Sequence, residues 1–483
     1  MRSAALVCAV VAALLVTLHA QPERAQPTFS RAEAAILDEM KKAGIPGAAV
    51  AVVVGDRVVW TQGFGVANVE TGAAVTPDTL FQIGSVTKSF TAAALLTAAS
   101  EGRLVLDRPV STYVKALTPC VGAPTLTQLL SHTGGLIDEP DEFGSQGEEG
   151  LGAYQRTWSS EYCMLPPGRA FSYSNSGFAL AGLALQEADG RPFADVMKTR
   201  VLTPLGMTRT TFRPTEAMTW PLAVGHRKSK DGAFEVVRPL ANDARLWPAG
   251  TLYSSANEMA RFVVALMNDG RVDGQQVLPA GVAAKMREAV VRIPTTTQWY
   301  GQGLFSSPGR LLGHGGTMTG YVAEMTLGPP LGTVVLANGD GVNPEPLSRR
   351  LREVVLDAEP VRAVFQAMQR EAERRGPPPP PVVEGLLPGD VEQPLAAGAA
   401  AAFTGTYRNP RRFTVDVVRS GATLVLKRFG RDFPMRALQA PGEFLVDLPR
   451  GGTEKVVFGS GADGRVDYLQ MNVWALARVP DTK

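Results

Sequence analysis

The chain has 483 residues, of which 45% are hydrophobic and 19% charged, with a formal net charge of +2. That length and apolar content predict a globular protein of two or three domains with a full core. The near-neutral balance points to no particular partner, and basic residues scattered among acidic ones exclude a nucleic-acid surface.

Taken in order, the first segment is an export leader over residues 1–20. Arg2 supplies the positive region, Ala4 to Leu18 is an apolar run too short to span a bilayer comfortably, and Ala20 is the cleavage point. An uncleaved anchor is the alternative. No other stretch is long and apolar enough to cross a membrane, so the mature chain is expected to be secreted or periplasmic, without stable membrane insertion. Cys8 lies inside the leader, which leaves Cys120 and Cys163. In an exported protein such a pair is a disulfide candidate that would add roughly 4 kcal/mol in the chain-entropy picture. With His132, His226 and His314 the only histidines beyond the leader, no tight metal-ligand spacing exists, and neither metal nor cofactor is expected.

Ser30 to Gly44 has the pattern of an amphipathic helix with Ser30 as cap and Gly44 as stop. Ala48 to Val54 and Arg57 to Gln62 form a strand pair around Gly55-Asp56. Phe81 to Leu96, FQIGSVTKSFTAAALL, is a turn at Gly84 followed by a helix that Ser85 opens. Thr125 to Leu136 is a short helix ending in glycines, where His132 is expected to hold a loop. Asp138 to Trp158 is polar and glycine-rich, which predicts a long surface loop bordering a cleft. A helix follows from Phe178 to about Ala188, another stretch from Phe193 to Leu205, and a third within Trp247 to Asn268, capped near Ser255 or Asn257.

Trp299 to Asp340 is expected to be three strands, and Pro344 to Asp357 a closing helix. Strands at both ends with helices between predict one α+β domain over residues 28–357. A helix and proline-rich linker then occupy residues 358–395, including the run Pro377 to Pro381. Residues 396–483 alternate apolar and polar positions in short runs, at Thr414–Val418, Thr423–Lys427, Phe444–Asp447, Lys455–Phe458 and Val466–Met471. These predict a small antiparallel, barrel-like β-domain.

Ser85 and Lys88 stand one helical turn apart on the same face. A serine hydroxyl needs a base nearby, and an amine serves if burial or a second cation lowers its pKa. The helix N-terminus adds N–H donors where an oxyanion would form. An isolated Ser-x-x-Lys is equally an ordinary helix start with a solvated lysine. What changes the reading is the order of motifs: Ser85-Val86-Thr87-Lys88, then Tyr173-Ser174-Asn175, then His314-Gly315-Gly316. Tyr173 is a second proton carrier, expected to lose its proton more easily beside Lys88. Asn175 can donate to a substrate carbonyl. His314, expected on an edge strand, can touch the substrate, and Gly315 and Gly316 let its backbone approach.

With these motifs in this order, the chain resembles the serine β-lactamase and penicillin-binding-protein-like superfamily, above all the class C-related branch of D-alanyl-D-alanine carboxypeptidases, D-aminopeptidases and esterases. Similarity extends through Ile45–Asn68, Leu129–Leu136, Pro166–Gly177, Pro204–Phe212, Pro248–Phe262 and Gly313–Tyr321, so it covers roughly Phe29 to Asp357. The C-terminal part is similar to the lipocalin-like β-domains of many relatives. The resemblance implies a β-lactamase/transpeptidase-like fold. It implies Ser85 as acylated nucleophile, Lys88 and Tyr173 as proton carriers, Asn175, His314, Gly315 and Gly316 at the substrate, and the backbone amides of Ser85 and Thr317 as oxyanion hole. His314 stands where many true β-lactamases of this branch carry lysine, and an ordinary histidine is mostly neutral near neutral pH. The expected activity is therefore hydrolysis of D-amino-acid peptides or small esters through an acyl-enzyme. A true β-lactamase is the first alternative, and a catalytically idle binding or sensing module the second. The C-terminal domain is expected only to pack and to restrict access.

Overall fold

In the computed structural model, residues 29–139, 141–307, 311–375, 391–396, 398–449 and 451–480 are described. The expected leader and the run Pro377 to Pro381 lie outside the described residues. The helices that matter for the site are α1 (Ser30–Ala43), α2 (Thr87–Ser100), α3 (Asn175–Asp189), α4 (Ala256–Met267), α5 (Glu345–Val355) and α6 (Glu359–Arg375).

The sheet is built on Gly47–Val54 (β1), a run of alanine and valine in which every residue is buried. A strand covered on both faces has no need of polar positions. Its alternate residues serve two cores. Ala49, Ala51 and Val53 pack with Phe262 and Val263 of α4, while Val50, Val52 and Val54 pack with Ile36 and Met40 of α1 and Leu347 and Leu351 of α5. Around β1 runs an antiparallel sheet comprising Arg57–Asn68 (β2), Ala73–Ala74 (β3), Val291–Arg292 (β4), Trp299–Tyr300 (β5), Phe305–Ser307 (β6), Leu311–Met318 (β7), Tyr321–Gly328 (β8) and Leu331–Ala337 (β9), in the order β4-β5-β6-β7-β8-β9-β1-β2-β3.

Several local expectations are corrected. Phe29, not Ser30, precedes α1, and no side chain caps that helix, although Gly44 does end it at φ 68°. The first strand expected before Gly313 is broken into β5, β6 and β7, because Gly303 turns the chain at φ 82° and Gly301 N donates to Leu304 O. Helix α3 begins at Asn175, three residues early, because the Ser174 hydroxyl caps it by accepting from Gly177 N at 3.0 Å. Asp138 to Trp158 is not a surface loop throughout: Asp138, Glu139, Gln155 and Trp158 are buried. Cys120 and Cys163 are joined by a disulfide that closes this loop across 43 residues of sequence separation.

The C-terminal domain is a closed antiparallel barrel of Gly405–Asn409 (β10), Phe413–Ser420 (β11), Thr423–Arg428 (β12), Arg431–Ala437 (β13), Glu443–Asp447 (β14), Thr453–Ser460 (β15), Val466–Met471 (β16) and Trp474–Arg478 (β17). Closure removes exposed strand edges. Alternate residues such as Val415 and Val417, and Leu424 and Leu426, fill its interior. Strands β10, β13 and β17 escape the sequence pattern; β13 carries Pro434 and two arginines in seven residues.

Candidate active site

Helix α2 runs through the core, with all residues from Thr87 to Ala98 buried. Its polar side chains are therefore obliged to find partners. Ser89 Oγ donates to Gly303 O at 2.7 Å, and Thr91 Oγ1 to Pro248 O at 2.8 Å. The first bond ties the helix to the turn before β6, and the second to the segment that carries Ala249. Ser85 sits in the 3-10 turn Gly84–Val86 that leads into α2, and so occupies the turn just before the helix proper.

The Lys88 ammonium is fully buried and uses its three donors on three acceptors: Ser85 Oγ at 3.0 Å, Asn175 Oδ1 at 2.6 Å and Ala249 O at 2.6 Å. Desolvation lowers its pKa to about 7, the Asp138 carboxylate opposes that shift, and the Arg412 guanidinium adds to it. Near neutral pH a large share of Lys88 is thus a free amine whose lone pair can accept the Ser85 proton.

Tyr173 departs from expectation. Burial pushes its phenol up, with a hydrogen bond to Ser85 opposing the shift, and Lys88 Nζ stands 4.9 Å above the ring centroid. Tyr173 is a neutral hydroxyl that can donate and relay a proton, and Lys88 is the group tuned to accept one.

Strand β7 crosses next to Ser85. A Cβ on Gly84, at φ +51°, would lie 2.5 Å from Thr317 N, and one on Gly316 would lie 2.0 Å from Ile83 O and 3.0 Å from Ser85 N. Only glycine at both places permits this approach, which sets the backbone amides of Ser85 and Thr317 side by side. Strand β7 is the fourth of nine, yet it pairs with β6 only from Leu311 to Gly313 and with β8 along its length, so from His314 to Thr317 it is a local edge, as expected, although His314 itself is turned inward. His314 is buried. Its Nδ1 lies 2.6 Å from Gly315 O, which can only accept, so Nε2, at 3.1 Å, accepts from the Tyr300 hydroxyl. Desolvation first, and then Lys88, lower the His314 pKa to about 3. His314 is neutral and stands outside the residues that line the cleft beside Ser85.

Asn175 is held from both ends. Its N–H donates to Asp138 Oδ1 at 2.8 Å and its side-chain Nδ2 to Glu139 O at 3.2 Å. His132, at φ 58°, accepts from Ser174 N through Nδ1 at 3.0 Å and packs 4.2 Å from the Tyr173 ring, so it orders the loop that carries Tyr173. The cleft beside Ser85 and Asn175 is walled by Asp141, Glu142, Thr317 and Met318, among others. Glu142 Oε2 accepts from both the backbone amide and the hydroxyl of Thr319 at 2.7 Å.

The structure therefore brings Ser85, Lys88, Tyr173, Asn175, Gly316 and Thr317 together, and places His314 behind them. Sequence reasoning missed Asp138, Glu139, the Ala249 carbonyl and Arg412. For the acids a signal existed: the paired carboxylates of Asp138-Glu139 directly follow the apolar turn Gly134 to Ile137. A backbone carbonyl leaves no signal, and Arg412 is one of many surface-patterned arginines.

Residues 32–357 match the Beta-lactamase family. Penicillin-binding protein 4 of Amycolatopsis lactamdurans is 30% identical over 322 residues, covering 61% of this chain and 81% of that protein. The crystal structure of SurE superposes with a TM-score of 0.74 at 27% identity over 93% of this chain and 99% of SurE, and SurE with D-Leu does so at 0.71 and 25% over the same shares. A class C β-lactamase from Rhodobacter sphaeroides is similar at a TM-score of 0.56 and 26% identity, over 67% of this chain and 99% of that one. The chain belongs to the β-lactamase family of penicillin-binding-protein-like serine hydrolases.

Proposed function

We propose that this chain is an exported serine hydrolase that acylates Ser85 and acts on D-amino-acid peptides, entering them from the amino end. The observation that carries the acyl-enzyme is the 3.0 Å contact between Ser85 Oγ and a buried Lys88 whose pKa lies at about 7. In the forward step Ser85 Oγ attacks the substrate carbonyl and Lys88 takes its proton. The oxyanion forms against the amides of Ser85 and Thr317. Tyr173 passes a proton to the leaving amine, and water then releases the acyl group.

The cleft chemistry supports the substrate class. None of the described residues lining it is lysine or arginine, while Asp141 and Glu142 are among them. His314, the group at the position of the family's lysine, is held neutral. A substrate carboxylate finds no cation there, whereas a substrate ammonium finds carboxylates. This disfavours a true β-lactamase and a D-alanyl-D-alanine carboxypeptidase relative to a D-aminopeptidase. Small esters, which need neither charge, are the second reading. A crystal structure of SurE with D-Leu, similar to this chain at a TM-score of 0.71, supports a D-amino-acid substrate class. The mutual contacts of Ser85, Lys88 and Asn175 speak against an idle module.

Hydrolysis assays on four substrates test this reading: D-leucine amide, D-alanyl-D-alanine, a p-nitrophenyl ester and a penicillin. The expected order of kcat/KM is amide above dipeptide and penicillin, with Ser85→Ala inactive on all. Preference for penicillin would overturn the assignment of substrate.

A further inference from the structure

We propose that Arg412, on the C-terminal barrel, is a positioning residue of the active site, so that the catalytic machinery is complete only with the barrel docked. This rests on the reading of Ser85 as the acylated group and Lys88 as its base.

Asp138 is completely buried. One of its oxygens accepts from Asn175 N at 2.8 Å, and Asn175 in turn accepts from Lys88. Its other oxygen faces the barrel. There it accepts from Arg412 Nε at 2.8 Å, from Arg412 Nη2, and from Trp474 Nε1 at 3.2 Å. The Arg412 guanidinium lies 4.8 Å over the Trp474 ring, which fixes its orientation. A chain of contacts thus runs from β11 and its preceding turn through Asp138 and Asn175 to Lys88.

The barrel also holds the other proton carrier. Tyr173 N donates to Val473 O at 2.8 Å, and Ala475 N donates to the Ser172 hydroxyl at 3.2 Å. Both acceptor and donor belong to the β16–β17 turn region. Outside the site, Arg169 forms a bidentate pair with Asp467 at 2.9 and 2.7 Å. That pair docks the barrel without touching the catalytic groups.

The electrostatics give Arg412 a task beyond docking. A buried carboxylate beside Lys88 stabilises the ammonium, and a guanidinium against that carboxylate cancels the effect. The groups facing Lys88 from every side are Asp138, Arg412, Tyr173, His132 and His314, of which both histidines are held neutral by burial. Glu139, next to Asp138, accepts from the Tyr154 and Tyr162 hydroxyls and stands 4.0 Å from Arg411. With Arg412 removed, Asp138 acts unopposed and Lys88 keeps its proton to higher pH.

The test is the rate at which an alkyl fluorophosphonate labels Ser85 in the full-length protein, followed against pH. In that reaction the Ser85 oxygen–phosphorus bond forms, fluoride leaves and Lys88 takes the proton. Wild type is expected to show an inflection near the Lys88 pKa of about 7. In Arg412→Met the inflection is expected about one pH unit higher, with labelling at neutral pH reduced about fivefold and largely restored at alkaline pH. Adding Asp138→Asn to Arg412→Met should return the inflection to its wild-type place. Arg412→Lys, which keeps the charge but not the fork, should shift it less, and serves alone if Arg412→Met does not fold. An unshifted inflection, or a loss of equal size at every pH, would overturn the role of Arg412 while leaving Ser85 and Lys88 in place. Failure of wild type to label, or equal labelling of Ser85→Ala, would instead overturn the reading of the site and this inference with it.

Discussion

Replacing Lys88 by methionine removes a buried amine, and the pH dependence of the resulting stability change follows from the structure. Burial lowers the Lys88 pKa from its ordinary 10.5 to about 7. Between those values the unfolded chain carries the proton and the folded chain does not. The unfolded state therefore binds more protons in that window, and folding is favoured progressively as pH rises. Below about 7 both states are protonated and the folded state bears the full cost of the buried charge, roughly 5 kcal/mol for 3.5 pKa units at about 1.4 kcal/mol each. Methionine avoids that cost but leaves the Ala249 carbonyl and Asn175 Oδ1 without their donor, at about 1–3 kcal/mol each. These terms nearly cancel, so the absolute difference is small; its slope is not. Relative to Lys88→Met, wild type should gain about 1.4 kcal/mol per pH unit above neutrality, and nothing below it. Urea unfolding of both proteins across that range measures the difference, in which all other titrating groups cancel. A stability difference that stays flat from neutral to alkaline pH would refute the idea that Lys88 is buried with a lowered pKa.

Other perturbations have equally definite outcomes. Gly316→Ala places a Cβ 2.0 Å from the Ile83 carbonyl; it should abolish Ser85 labelling and lower the melting temperature, and a fully active variant would mean that β7 is not pressed against the nucleophile turn. Replacing Cys120 and Cys163 together by serine opens a loop of 43 residues' separation, which should cost about 4 kcal/mol in the chain-entropy picture. Unchanged urea midpoints would show that packing of Trp158 and Tyr162, stacked at 4.5 Å, holds that loop by itself. Tyr173→Phe should slow acylation by about 10²–10⁴-fold while leaving the Lys88-governed pH inflection in place; loss of the inflection itself would make Tyr173, not Lys88, the titrating base.

Much of the fold was legible because its signals are local. The apolar run of β1 announces a strand buried on both faces, Gly44 marks the end of α1, and the run Val466–Met471 has the same bounds as β16. Order of motifs, not any one of them, pointed to Ser85, Lys88 and Tyr173. What stayed hidden depends on the third dimension. The state of Tyr173 could not be inferred from its neighbourhood to Lys88, because desolvation of the phenol outweighs the proximity of an amine that is itself half neutral. The burial of His314 follows from strand pairing and from Tyr300, fourteen residues away. The link from Arg412 to Asp138 spans 274 residues of sequence and joins two domains, so nothing at either position reveals it. The barrel, expected to pack and to restrict access, also bonds Asp138 through Arg412 and the Tyr173 amide through the Val473 carbonyl.

The intact mass of the full-length protein, quenched in acid during turnover of an activated D-amino-acid ester, tests the central claim most directly. One added acyl group that maps to the peptide containing Ser85, and is missing from Ser85→Ala, is the expected result. Turnover that persists in Ser85→Ala, or an acyl group on any other residue, would contradict it.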